Sequence, residues 1–367
     1  MILKRFIEHT TFGATSAVLA MAPAFMASAQ ETVPVDFYGH INPTFLSFDD
    51  GVSSNDYLTD NDHSNTRVGF WVRDMFNTEG LSFNFETALG LPSSSATSQI
   101  STPDWEWDAT KLRKVDISYA GDWGKIYVGQ GSMSTDGIGQ KDFSGTDLVA
   151  YAGIADSAGS FLFRNAAGAL TTREVGDVFT DLDGGRRGRL RYDTPSFSGF
   201  TLSASVGEEI LKSGDDNTYY DLSASYKGGN DDVAFEAGLG SAWADTSTGT
   251  RQQTVGSVAV LHKPSGVNGT LAGGSVDGGG DYFYAKAGII RKWFGVGTTA
   301  VAVDYFQSNG FIAGEEGDAV GFGVVQKFDD QNIEAYFGYR DYDLTDTTGA
   351  VSYRGANHYM LGARFKF

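Results

Sequence analysis

The chain has 367 residues, with 46 acids against 27 bases, a formal net charge of −19 and no cysteine. The acid excess argues against binding nucleic acid or an anionic lipid face. Without cysteines there are no disulfide staples, so a large hydrogen-bonded framework has to carry stability. Counts of 48 Gly, 26 Phe and 17 Tyr beside only 7 Pro favour many strands and turns over helices.

Residues 1–29 read as an export signal: Lys4 and Arg5 give a basic start, 17–26 an apolar middle, and Ala27, Ser28 and Ala29 a small-residue cleavage site. The mature chain is then expected to begin at Gln30, and 30–367 reads as one domain. Nothing later offers eighteen or more consecutive apolar residues, so no helix is expected to span a membrane.

Past the cleavage site, Val35, Phe37, Gly39, Ile41, Pro43 and Phe45 alternate with Asp36, Tyr38, His40, Asn42 and Thr44, the period-two signature of a strand with unlike faces. Residues 49–65, acidic and rich in Ser and Asn, read as a loop. Strand two follows with Val68, Phe70 and Val72 opposite Arg67, Trp71 and Arg73; strand three alternates Phe83 and Phe85 with Asn84 and Glu86. A polar loop over 92–109 leads to Val115, Ile117 and Tyr119, and the turn GDWGK returns the chain through Ile126 and Val128.

The procession is then interrupted for some fifty residues, 130–183, carrying Asp136, Asp142, Asp147, Asp156, Glu174, Asp177, Asp181 and Asp183. Directly after it, GGRRGRLRYDTP puts Arg187, Arg189 and Arg191 on one face of a strand. Unstructured loops this long are usually functional or disordered, and a closed barrel offers one useful place for such a loop, its own interior. Alternation resumes through 200–206, 220–226 and 233–239, continues more weakly through 253–261 and 267–275, and ends on Tyr359, Leu361, Ala363, Phe365 and Phe367.

Short turns such as KGGNDD, HKPSG and FDDQN alternate with connections read as long, beginning near 49, 92, 130, 208, 242, 275, 307 and 343. About sixteen strands of roughly ten residues follow from that reading, an even number that leaves both mature ends on the short-turn side. Alternation alone does not separate a lipid-facing exterior from a dry core. The polar face decides: Arg67, Arg73, Glu86, Lys114, Asp116, Asp221, Lys286, Asp304, Glu334, Arg340 and Arg364 are too many charges for a dry interior. The expected fold is therefore all-β, a transmembrane antiparallel barrel with a wet lumen, rather than a soluble sandwich. Tyr119, Trp123, Phe200, Trp293 and Phe328 near strand ends suit an interfacial girdle.

The terminal ARFKF, FYGHINPTFLSFDDG near the mature start, GQGSMSTDG after strand five and RLRYDTPSFSG after the long loop together resemble the Gram-negative general outer-membrane porins, particularly the alphaproteobacterial type. The resemblance covers essentially the whole mature chain. It implies a homotrimer of sixteen-stranded barrels in the outer membrane, among its lipids and lipopolysaccharide, passing small hydrophilic solutes and ions. It also implies that 130–183 is a constriction loop folded into each lumen, with Arg187, Arg189 and Arg191 on the wall opposite and Trp105 and Trp107 of the second external loop reaching over a neighbour. The expected pore-constriction residues are these three arginines with Arg67 and Arg73, and Asp136, Asp142, Asp147 and Asp156 on the loop. The acid excess predicts a mild cation preference.

Other readings compete. A channel selective for a sugar or a particular ion would want an aromatic track, and the inward Tyr38, Trp71, Tyr219, Tyr284 and Tyr336 are scattered. A plugged, adhesin-like barrel is a further alternative. An outer-membrane hydrolase would need a nucleophile beside an inward histidine, and His40 with His358 on the adjoining first and last strands is the candidate constellation. No cofactor is expected, with one opening for structural calcium at Asp60 and Asp62 or at Asp181 and Asp183, neither with the spacing of a dedicated loop.

Overall fold

A computed structural model describes residues 34–367, so the export signal read at 1–29 lies outside them. Among the described residues the strands run β1 (Val35–Ile41), β2 (Pro43–Asp49), β3 (Ser54–Asp60), β4 (Arg67–Val72), β5 (Leu81–Ala88), β6 (Leu112–Gly121) and β7 (Gly124–Ser132). The long loop then holds a small hairpin, β8 (Leu162–Arg164) and β9 (Leu170–Glu174). The wall resumes with β10 (Arg186–Asp193), β11 (Phe200–Glu208), β12 (Thr218–Gly229), β13 (Val233–Thr246) and β14 (Gly249–His262). It continues through β15 (Val267–Val276), β16 (Asp281–Phe294), β17 (Gly297–Asn309), β18 (Glu315–Phe328), β19 (Ile333–Asp346) and β20 (Ala356–Lys366).

Wall strands pair antiparallel with their neighbours, and β10 bridges the loop by pairing directly with β7. β1 and β2 are one crossing broken at Asn42, and β3 and β4 another broken at 61–66, so the wall has sixteen crossings. It closes where β1 meets the chain end: Gly39 N–H donates to Phe367 O, and Phe367 N–H to Gly39 O, each at 3.1 Å. Closure matters because an unpaired edge in lipid would leave backbone groups with no partner, at several kcal/mol each.

The faces are inverted as the alternation predicts. On β6, Ile117 and Tyr119 are 49% and 45% exposed on the outside, while Asp116 and Ser118, which alternate with them, are buried within. Outside, Trp123 stacks on Tyr192 near the short turns and Phe200 leans on Tyr226, an amphipathic belt at one rim of the apolar band.

Three sequence expectations are corrected. The segment 49–65 is not a loop: the chain turns tightly after Asp49, and 54–60 is β3. Its Asn, Asp and Ser side chains disguised a strand whose register with β2 runs from Pro43↔Asp60 to Asp49↔Ser54. Nor are all connections at the loop end long, because β12 to β14 and β16 to β19 have 12 to 14 residues each and consume them. Finally, the long connection between β7 and β10 is a folded layer rather than a bare loop.

That layer lies inside the barrel, packed on the inward face of one side. Phe179 packs on Phe306 and Tyr342 at centroid distances of 5.9 and 5.3 Å, and Phe161 stacks on Phe48 at 4.1 Å. These contacts form the apolar core, between loop and wall, that the strands by themselves lack. Gly338 and Gly323 permit the approach: a Cβ on Gly338 would sit 2.7 Å from Val149 Cβ. Gly338→Val is therefore expected to push the loop off β19 and cost about 1–3 kcal/mol, the usual penalty of overpacking. Loss of sheet circular dichroism on heating in detergent checks this, and an unchanged unfolding temperature would contradict the packing.

Candidate pore constriction

Polar pins fasten the loop at both ends. Asp221 of β12 accepts from Ser134 N–H and Oγ (3.2 and 2.7 Å), from Thr135 N–H and Oγ1 (2.8 and 2.6 Å), and from Ser205 Oγ. Where the loop re-enters the wall, Asp183 accepts from Gly137 and Gly139 N–H at 2.7 and 2.8 Å, and Gln253 Nε2 donates to Leu182 O at 3.0 Å. In the middle, Lys286 Nζ of β16 bonds Asp142 at 2.7 Å and Ala150 O at 2.8 Å. The wall's own break supplies a further pin, because 61–66 swings inward and Asn61 Nδ2 donates to Leu148 O at 2.8 Å.

With the loop held on the side of β12 to β20, the basic residues of β4, β6 and β10 line the opposite side. Arg113 Nε meets Glu86 at 2.6 Å, Arg67 lies 3.8 Å from the same carboxylate, and Arg67 and Arg364 both donate to Ser64 Oγ. Arg67, Arg113 and Arg186 are within electrostatic reach of one another. Asp136 stands 3.7 Å from Arg186 and within reach of Arg113. Loop acid thus faces wall base.

The expected site residues scatter around this frame. Arg187, Arg189 and Arg191 do point inward. Arg189, however, is buried on Asp116 at 2.6 Å and on the carbonyls of Ser132 and Gly129, so it ties the wall together. Arg191 bonds Asp193 and Met133 O, and Arg187 lies over the Tyr219 ring, 3.6 Å from Glu209. Arg67 joins the basic group, whereas Arg73 sits beyond the end of β4 at the short-turn rim, paired with Asp36 at 2.9 Å, half exposed. Among the loop acids, Asp136 faces the bases and Asp147 is exposed, but Asp142 turns its carboxylate onto Lys286. Asp156 is partly buried, accepting a short bond from Tyr151, and desolvation beside Asp62 pushes its carboxyl well above the ordinary carboxylate range.

Sequence reasoning missed Arg113 and Arg186. Strict alternation assigns Arg113 outward, but a bulge between Glu86 and Thr87 leaves it as the extra residue of β6 and turns it in with Lys114. The candidate His40 and His358 constellation does not form: in register His40 opposes Lys366 and His358 opposes Phe48. Eight residues of β20 separate those positions, about 26 Å at 3.3 Å per residue. Asp60 is committed to Thr66 through both oxygens, and among the described residues no group of three or more His, Cys, Asp or Glu is arranged to hold a metal ion.

A closed sixteen-crossing sheet, apolar outside and charged within, with a loop folded into its bore, defines a membrane channel of the β-barrel kind. The chain belongs to the Gram-negative porin family, whose profile matches residues 14–367. Family and barrel together imply an outer-membrane location. Solved structures share the fold at low identity. The anion-selective porin of Comamonas acidovorans is 15% identical, with a TM-score of 0.60 over 91% of this chain and 99% of that one. OprB of Pseudomonas putida is 11% identical, at 0.59 over 91% and 94%. A trimer form of the Vibrio cholerae outer-membrane protein OmpT is 15% identical, at 0.53 over 91% and 99%. No curated protein sequence matches.

Two outcomes test the pins. Lys286→Met would strand a largely buried carboxylate and is expected to cost about 3–5 kcal/mol, with Asp142→Asn in the same chain restoring part of it. A double variant less stable than the single would refute the pairing. Burial, with Asp181 and Asp136 nearby, raises Asp183 to about 7 from an ordinary 3.8. The folded state therefore holds this proton more tightly than the unfolded chain, a contribution complete below ~4 and lost as pH rises through about 7. The unfolding temperature of the native chain should fall over that window relative to Asp183→Asn, and parallel profiles would refute the assignment.

Proposed function

We propose that the protein is a general porin, a water-filled channel for passive diffusion of small hydrophilic solutes and ions, with a mild preference for cations. One observation carries this reading: the long loop is packed on the side of β12 to β20, leaving a bore bounded by Asp136 on the loop and Arg67, Arg113 and Arg186 on the wall. Opposed charges create a transverse field. Asp136 and Arg186 meet at 3.7 Å on the margin of the bore; for opposed charges ~10 Å apart across it, at an effective dielectric of about 20, one pair is worth on the order of 1.7 kcal/mol, enough to orient dipolar solutes and disfavour apolar ones. Charged rings and pore diameter then set selectivity; no covalent step or cofactor enters.

A homotrimer in outer-membrane lipid and lipopolysaccharide belongs to the same reading. It is supported by the OmpT structure described as a trimer form, and by Trp105 and Trp107, which stand 72% and 50% exposed on the second external loop. An aromatic track for a dedicated sugar channel finds less support, since Tyr284 and Tyr336 are buried.

In planar bilayers with a KCl gradient, the reversal potential should have the sign of cation preference, and Asp136→Arg should move it towards anions. Anion preference in the native channel, or no shift in the variant, would contradict the proposed field.

A further inference from the structure

A cavity of about 420 Å³ opens at the loop end of the barrel, where the long loop leaves and re-enters the wall, its lining flanking Asp136 and Arg186 of the constriction. Its lining comes from the loop's two roots and from the upper ends of β10, β12, β13 and β14. The volume falls within the usual range for small-molecule sites.

Charges in this cavity are unevenly available. Two carboxylates line it, Asp221 and Asp183, but both are spent: Asp221 on the five donors of the loop's first root, Asp183 on the amides of Gly137 and Gly139. Of the two guanidiniums, Arg187 is partly offset by Glu209 at 3.6 Å, and its Nε has no hydrogen-bond partner. Arg251 has no hydrogen bond or ion pair among the described residues. It shares the inward face of β14 with Gln253, whose amide reaches the loop at Leu182 O. A guanidinium with five donors and no partner, beside a second one, is set up for a carboxylate.

The rest of the lining suits an organic body rather than a bare ion. The Tyr219 ring lies beneath Arg187 at 4.2 Å from its centroid and presents a flat surface. Tyr219 Oη donates to Asp215 at 2.8 Å and accepts from Asn217 Nδ2 at 3.4 Å, which leaves one lone pair on Oη and the Asn217 carbonyl oxygen to accept from a hydroxyl. Asp215 lies at this rim and sets a limit: it repels a second negative charge, so the fit is to a monoanion.

We propose that this cavity is a holding site at the channel mouth for small hydroxylated monocarboxylates, with Arg251 taking the carboxylate, Arg187 assisting, and Tyr219 and Asn217 meeting the hydroxylated body. The proposal rests on the channel reading above. In a pore with an acid excess, such a site retards its ligand and lowers the ion current while occupied.

The test is sodium gluconate added to the native protein in planar bilayers at constant KCl, with sorbitol as a neutral control of similar size. Gluconate should produce concentration-dependent current reduction that sorbitol does not. Arg251→Gln should weaken it about tenfold, the loss expected for one charge-assisted pair. Tyr219→Ala should weaken gluconate while leaving the smaller effect of acetate in place. Equal effects of gluconate and sorbitol, or an undiminished gluconate effect in Arg251→Gln, would overturn the site while the KCl conductance left the channel reading intact. Absence of any KCl conductance would remove both.

Discussion

A lysine ammonium out of contact with water has to be paired, and Lys286 is paired by the loop. Its Nζ holds Asp142 and the carbonyl of Ala150 at once, so the wall strand and the mid-loop segment satisfy each other. Neither charge is tolerable alone, because removing one partner of a buried pair leaves the other uncompensated. That mutual need decides which side of the barrel the loop lies on. Once it lies there, the bore has to run along the other side, past Arg67, Arg113 and Arg186.

The same logic governs the loop's roots. Asp221 draws in the first turn of the loop through backbone and hydroxyl donors, and Asp183 draws the last turn back to the first. Between these polar fastenings the apolar residues find dry space inside a wet cylinder, one cluster against Phe48, Phe306 and Tyr342 and a second against Ala300, Val325 and Tyr336. A barrel with lipid outside and water inside has no core of its own, and the loop provides one.

Much of this was legible in the sequence. Period-two alternation placed Asp116, Asp221, Lys286, Asp304 and Arg340 inward, and all five are buried inside the barrel. It also gave sixteen crossings, because each crossing repeats one rule regardless of its neighbours. Features that break the rule stayed hidden. Arg113 gave no sign of itself because a single bulge turns it inward against the alternation, and β3 was lost because SNDYLTD has the composition of a turn. The destination of Asp142 had no local signal, since its partner lies 144 residues away on a strand that reads the same wherever the loop rests. Arg73 kept correct alternation but sits past the last paired residue of β4, where phase no longer implies the lumen.

The central claim is that the long loop lies inside the bore against β18 and β19. The cysteine-free chain allows a direct measurement, because a Cβ on Gly323 would stand 3.1 Å from Ala150 Cβ, a few tenths of an ångström short of disulfide spacing. In the Ala150→Cys, Gly323→Cys double variant, the account predicts that a mild oxidant closes an intramolecular disulfide in the folded, membrane-embedded protein and that the channel still conducts. Two thiols that stay free under oxidant and both react with a bulky external reagent would place the loop elsewhere and contradict the account.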